Sequence, residues 1–163
     1  MKKGIVNMYS KLMTILFVVF LVNLVSNNKV NATEQAISEK VKPIGTLVVR
    51  ITDFSSMDGF VRIAVFNSEE TWLGTSVFSN VLKLDDKSCT DMTCEWTIED
   101  TPYGEYGIAI YHDENGNEEL DKYFFGLPKE DYGFSNNETI PPKWKNAKFD
   151  VYTANIEHTI SLD

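Results

Sequence analysis

The stretch "GFVRIAVF", residues 59–66, decides the fold. Val61, Ile63 and Val65 recur at every second position, with Arg62 and Ala64 between them. A period of two belongs to a strand that buries one face. Upstream, "GTLVVRI" repeats the pattern with Leu47, Val49 and Ile51. Between the two runs, "TDFSSMDG" reads as a connecting loop closed by Gly59. Further strands are expected over 77–84, 93–99, 105–112, 147–153 and 155–162, separated mostly by Gly, Pro, Asp or Asn. Short strands with regular turn signals and no long amphipathic helix predict an all-β domain over 45–163. The expected architecture is an antiparallel seven-stranded β-sandwich, transthyretin-like or immunoglobulin-like. "SEETWLG" predicts one helical turn capped by Ser68 and ended by Gly74, with Trp72 as a lid on the core.

The amino terminus has a different character. Lys2, Lys3 and Lys11 precede an almost uncharged run of 14 residues from Leu12 to Val25. A membrane-spanning helix needs roughly 20. The pattern predicts a signal peptide over 1–32, with Val30 and Ala32 suited to cleavage after Ala32. Residues 33–44 follow as a polar lead. The expected product is exported, periplasmic or extracellular, and keeps no membrane span after processing.

The whole chain has 15 basic and 24 acidic residues, a formal charge of −9. Residues 1–32 contain four lysines and no acid, so the remainder carries 15 − 4 = 11 bases against 24 acids, or −13. A field of that sign repels nucleic acid and anionic lipid, favours cations and basic partners, and excludes nucleic acid as a principal partner. Cys89 and Cys94 enclose "TDMT", a spacing that a tight loop between two strands bridges as a disulfide in an oxidising compartment.

The chemistry concentrates after the strand at 105–112. Tyr106, Ile108, Ile110 and His112 share one face, so Asp113 emerges on the other. Asp113, Asn115, Asn117, Glu119 and Asp121 then place oxygen-bearing side chains at alternate positions. A loop of that kind can curl around a hard cation such as Ca2+, which takes six to eight oxygens. The spacing follows an EF-hand-like loop with two departures: Phe124 stands where a bidentate Glu is expected, and Glu118 where a glycine is expected. The missing ligand could come from Glu130, Asp131, Asp53 or Asp58. The competing reading is a solvated acidic turn, because like charges about 6 Å apart in water repel by only about 0.7 kcal/mol.

"PYGEYGIAIYHDENGNEELDKYFFGLPKEDYGFSNN", with the later "AKFDV", resembles the exported bacterial family known as domain of unknown function 2141. The resemblance spans roughly 45–162 and is most specific over 103–137. It implies a transthyretin-like or carboxypeptidase-regulatory-like β-sandwich with no assigned biochemical activity. The matching family loop reads D-x-N-x-N-G-x-L-D, from which this chain departs at Glu118.

Two other functions compete. Tyr123, Phe125, Tyr132 and Trp144, in the long connection after the acidic loop, would form a surface for an envelope polysaccharide or protein if they were exposed. A small hydrolase would need His112 or His158 to meet distant carboxylates in a cleft. Both histidines share strand parity with apolar neighbours, the position of a hydrogen-bonded wall residue. The sequence contains no nucleophile elbow, zinc-protease helix or Gly-rich phosphate loop.

Overall fold

The computed structural model describes residues 42–163 with the exception of Asp86. The expected signal peptide and residues 33–41 of the polar lead lie outside the described residues. The chain forms β1 (Ile44–Thr52), β2 (Phe60–Phe66), β3 (Phe78–Lys83), β4 (Cys89–Thr90), β5 (Thr93–Pro102) and β6 (Gly104–Asp113). It continues with β7 (Tyr132–Phe134), a 3₁₀ turn (Ser135–Asn137), the one-turn helix α1 (Trp144–Ala147), β8 (Phe149–Val151) and β9 (Asn155–Ser161).

Two sheets face each other. One has the order β4-β5-β1-β9, and the other β3-β2-β6-β7, with β8 pairing on the first residues of β6. The alternation in β1 and β2 works as expected. Leu47, Val49 and Ile51 point inward from one sheet, Val61, Ile63, Val65, Ile108 and Ile110 from the other, and all are buried. Each such side chain contributes about 1.5–3 kcal/mol on leaving water. Cys89 and Cys94 face each other across the β4–β5 ladder and form a disulfide at the edge of this core.

The expectation of seven antiparallel strands needs two corrections. Nine strands are present among the described residues, because the short β4 and β7 also pair. The pairing is also not wholly antiparallel: β9 runs parallel to β1, from Thr46 opposite Asn155 to Thr52 opposite Ser161. The chain reaches β9 from β8, which belongs to the facing sheet, and so enters alongside β1 in the same direction. Gly45 allows this crossing, since a Cβ there would lie 2.5 Å from the Thr153 carbonyl oxygen.

Behind the second sheet lies another apolar layer. Trp72 packs edge-on against Phe66 and Trp144, with ring centroids 5.2 and 5.7 Å apart. Both indoles rest on Gly107, where a Cβ would come within 2.9 Å of each. A glycine inside a strand marks this kind of close approach. Residues 69–73 form turns, not the expected helical turn, and Trp72 covers the outside of β6, not the sandwich core. Its indole N–H donates to the Pro142 carbonyl at 3.2 Å, tying the long connection to the sheet.

Candidate functional site

Residue 113 is the last of β6, on the face turned away from the sandwich core, beside Arg62 of β2. Asp113 is nevertheless fully buried. One carboxylate oxygen accepts Arg62 Nε–H at 2.7 Å and the Glu118 N–H at 3.1 Å, and the other accepts the Asn117 N–H at 3.0 Å. Burial alone would raise its pKa, but the Arg62 hydrogen bond and the two backbone N–H groups outweigh burial and hold it below the ordinary carboxylate value.

The rest of the loop repeats this device. Asn115 Oδ1 accepts the Asn117 N–H at 2.8 Å, and Asn117 Oδ1 accepts the Glu119 N–H at 2.9 Å. Both amides then donate to Asp121, Asn115 at 2.8 Å and Asn117 at 3.2 Å. Thus all five residues expected to act as ligands belong to one hydrogen-bonded loop, although Glu119 takes part through its backbone. Glu118 adopts φ 71°, the left-handed conformation that a glycine would supply at that place. The Tyr111 hydroxyl secures it by donating to the Glu118 carbonyl at 2.9 Å.

The four candidates for the missing ligand separate clearly. Glu130 is buried and its Oε2 accepts the Asp121 N–H at 3.0 Å, while its Oε1 has no hydrogen-bond partner. Asp131 accepts the Ser55 N–H, Asp53 accepts the Thr52 and Ser161 hydroxyls, and Asp58 meets His112 only through its carbonyl. Among the described residues, no three His, Cys, Asp or Glu side chains gather closely enough to hold a metal.

Glu130 reaches Asp121 because residues 122–129 double back. Lys122 bridges to Pro128, and the Tyr123 N–H bonds the Leu127 carbonyl at 2.9 Å. The four aromatics of the expected binding surface do not share one face. Tyr123 and Phe125 are exposed and Tyr132 is half-buried, but Trp144 is only 7% exposed because it packs on Gly107 and Trp72. Beside the base of this turn is a groove of about 720 Å³, floored by Ala64 and Ala109, which face each other across β2 and β6.

The histidines occupy walls. His112 is fully buried and its Nε2 lies 2.7 Å from the Asp58 carbonyl. Its Nδ1 is 3.7 Å from Asp131 and 3.9 Å from Glu114. Ser55 and Ser56 donate to Glu114 rather than to this ring, so neither hydroxyl is set against a base. His158 stacks on Phe149 at 3.9 Å and accepts the Asn136 N–H at 3.2 Å.

Sequence reasoning passed over Arg62, whose signal was a lone cation in a strand otherwise made of Phe, Val, Ile and Ala. It anchors the loop by contacting Asp113 and also lies 3.4 Å from Glu118.

These elements define a class: a two-sheet β-sandwich whose central hairpin strand ends in a self-bonded Asp/Asn loop. The chain belongs to the bacterial family described as "Uncharacterized protein conserved in bacteria (DUF2141)", whose model matches residues 49–159. No curated protein matches it. Among solved structures it is similar to a fimbrial assembly protein from Parabacteroides distasonis, at 14% identity and TM-score 0.38. That likeness covers 75% of this chain, which spans about half (53%) of the fimbrial chain.

Proposed function

We propose that this chain is an exported, non-catalytic β-sandwich module whose 113–121 loop, completed by Glu130, binds a divalent cation of the Ca2+ class. One observation carries this proposal: Glu130 is buried beside Asp121 with one carboxylate oxygen unpartnered. A buried carboxylate oxygen without a partner is costly, and a cation offsets that cost. Glu130 would take the place of the absent Glu at the Phe124 position. Asp113, Asn115, Asn117, the Glu119 carbonyl and Asp121 would supply the other oxygens. Three of these ligands, Asp113, Asp121 and Glu130, are acids that do not stand close enough together to hold a metal, so binding would draw them together, with amide and backbone carbonyl oxygens completing the Ca2+ shell. The side-chain amides of Asn115 and Asn117 donate to Asp121. Cation binding would replace them. Export is supported by the Cys89–Cys94 disulfide and by the apolar run 12–25.

Calorimetry and melting curves with added Ca2+, against chelator, test the proposal. Extracellular modules of this kind bind at about 10⁻⁴ to 10⁻³ M, which sets the range to be scanned. Glu130→Gln should act in opposite directions: stabilising the metal-free chain by removing an unpaired charge, and abolishing the Ca2+ shift. Absence of heat and of any melting shift in the unaltered chain at millimolar Ca2+ overturns the proposal.

A further inference from the structure

The turn between Asp121 and Glu130 has an exposed apolar tip. Phe124 is 107% exposed, Phe125 73%, Tyr123 51% and Leu127 49%. The backbone fixes this arrangement through the Tyr123 N–H to the Leu127 carbonyl, the Gly126 N–H to the Tyr123 carbonyl and the Lys129 N–H to the Asp121 carbonyl, at 2.9, 2.8 and 2.8 Å. Gly126 holds φ 86° with nothing within 4 Å of where its Cβ would be, so the turn has open space on that side. The Tyr123 and Phe125 rings stack at 5.6 Å and 6°. Isolated apolar side chains are ordinary on a surface, but four together on one turn mark an interaction site.

Charge identifies the partner. Lys122 and Lys129, both exposed, bracket the tip with no acid between them, while the acids next to them, Asp121 and Glu130, are half-buried and buried; the tip is thus a local positive site on a chain whose overall charge is negative. Aromatic side chains framed by lysines suit the headgroup region of a bilayer, where rings enter the boundary with the acyl chains and ammonium groups meet phosphates. A glycan would need several hydrogen-bonding side chains, and residues 123–128 offer a single hydroxyl, on Tyr123. A stable protein interface takes about 800 Å² from each partner, more than four side chains on a turn present.

We propose that Tyr123, Phe124, Phe125 and Leu127 insert into the interface of a phospholipid membrane, with Lys122 and Lys129 meeting its phosphates. The insertion is peripheral: among the described residues, no helix is long and apolar enough to cross a membrane. The interaction does not depend on cation binding by the neighbouring loop, so it is tested in the presence of chelator.

The experiment uses the full chain carrying Phe124→Trp, mixed with vesicles of phosphatidylethanolamine and a minority of phosphatidylglycerol, with brominated acyl chains. The unsubstituted chain, with its three native tryptophans, gives the background. Emission of the introduced indole should shift to the blue and be quenched by the bromines. Adding Lys122→Glu and Lys129→Glu should weaken partitioning about tenfold or more, with the melting midpoint unchanged. The local probe separates the tip from the apolar run 12–25, which would bind vesicles without altering indole emission at 124. An indole that stays in water and unquenched overturns the proposal. So does a blue shift produced by soluble envelope polysaccharide, or by raising protein concentration without vesicles. These outcomes would assign the tip to a sugar or to a second copy of the chain.

Discussion

Arg62 Nε lies 2.7 Å from a carboxylate oxygen of fully buried Asp113, joining the middle of β2 to the point where β6 gives way to its acidic loop. That bond fixes the first residue of the loop, and the Asn117 and Glu118 N–H groups close on the same carboxylate.

Removing the arginine should therefore cost more than an ordinary surface ion pair. Arg62→Met leaves a buried carboxylate with only backbone donors, and a loss of about 3 kcal/mol is expected near neutral pH. Because the pair holds the Asp113 pKa down, its stabilisation is present above the ordinary carboxylate range and lost as pH falls through the lowered value. The gap between the two proteins in urea unfolding should therefore narrow in acid. A loss of less than about 0.5 kcal/mol at neutral pH would place Asp113 among solvated acids.

Glu118 occupies a left-handed conformation at φ 71°, which costs a residue with a Cβ about 1 kcal/mol. Its side chain is largely exposed and lies 3.4 Å from Arg62, a contact worth little. Glu118→Gly should match or exceed the parent in stability. Glu118→Ala, which loses the ion pair without relieving the backbone, should fall about 1 kcal/mol below Glu118→Gly. Paired denaturation curves check the order, and an alanine variant as stable as the glycine variant would contradict it.

His158 adds a pH dependence of the same sign from a different cause, burial of a neutral ring in place of pairing of a charged carboxylate. Burial lowers its pKa from 6.5 to about 4, and the neutral ring accepts the Asn136 N–H. The folded state thus binds fewer protons than the unfolded state between these values. Stability is complete above about pH 6.5 and falls as pH drops toward about 4, by at most about 3 kcal/mol. His158→Gln should flatten that part of the melting-temperature profile. An unchanged slope would show that other groups set it.

The alternation in β1, β2 and β6 was legible because each strand buries one face, and inward residues such as Leu47, Ile63 and Ile108 must then be apolar. β7 was not legible. It has three residues, and its central Gly133 is dictated by close approach, since a Cβ there would lie 2.8 Å from Ile160. The parallel course of β9 was equally hidden, because a side-chain period of two is the same in either direction. The oxygen ladder from Asp113 to Asp121 was visible as spacing, but only folding shows that its oxygens hold backbone N–H groups. Glu130 was one of four nominees. It becomes distinct once the turn at 122–129 brings it to the Asp121 N–H.

Parallel pairing of β1 with β9 also governs how this domain responds to tension. Because the two strands point the same way, pulling residue 43 and residue 163 apart slides one strand along the other. The rungs from Thr46–Asn155 to Thr52–Ser161 are then loaded together in shear, and none can be peeled off alone. A domain stretched between its two chain ends in this way resists extension with its full ladder, as a tether does.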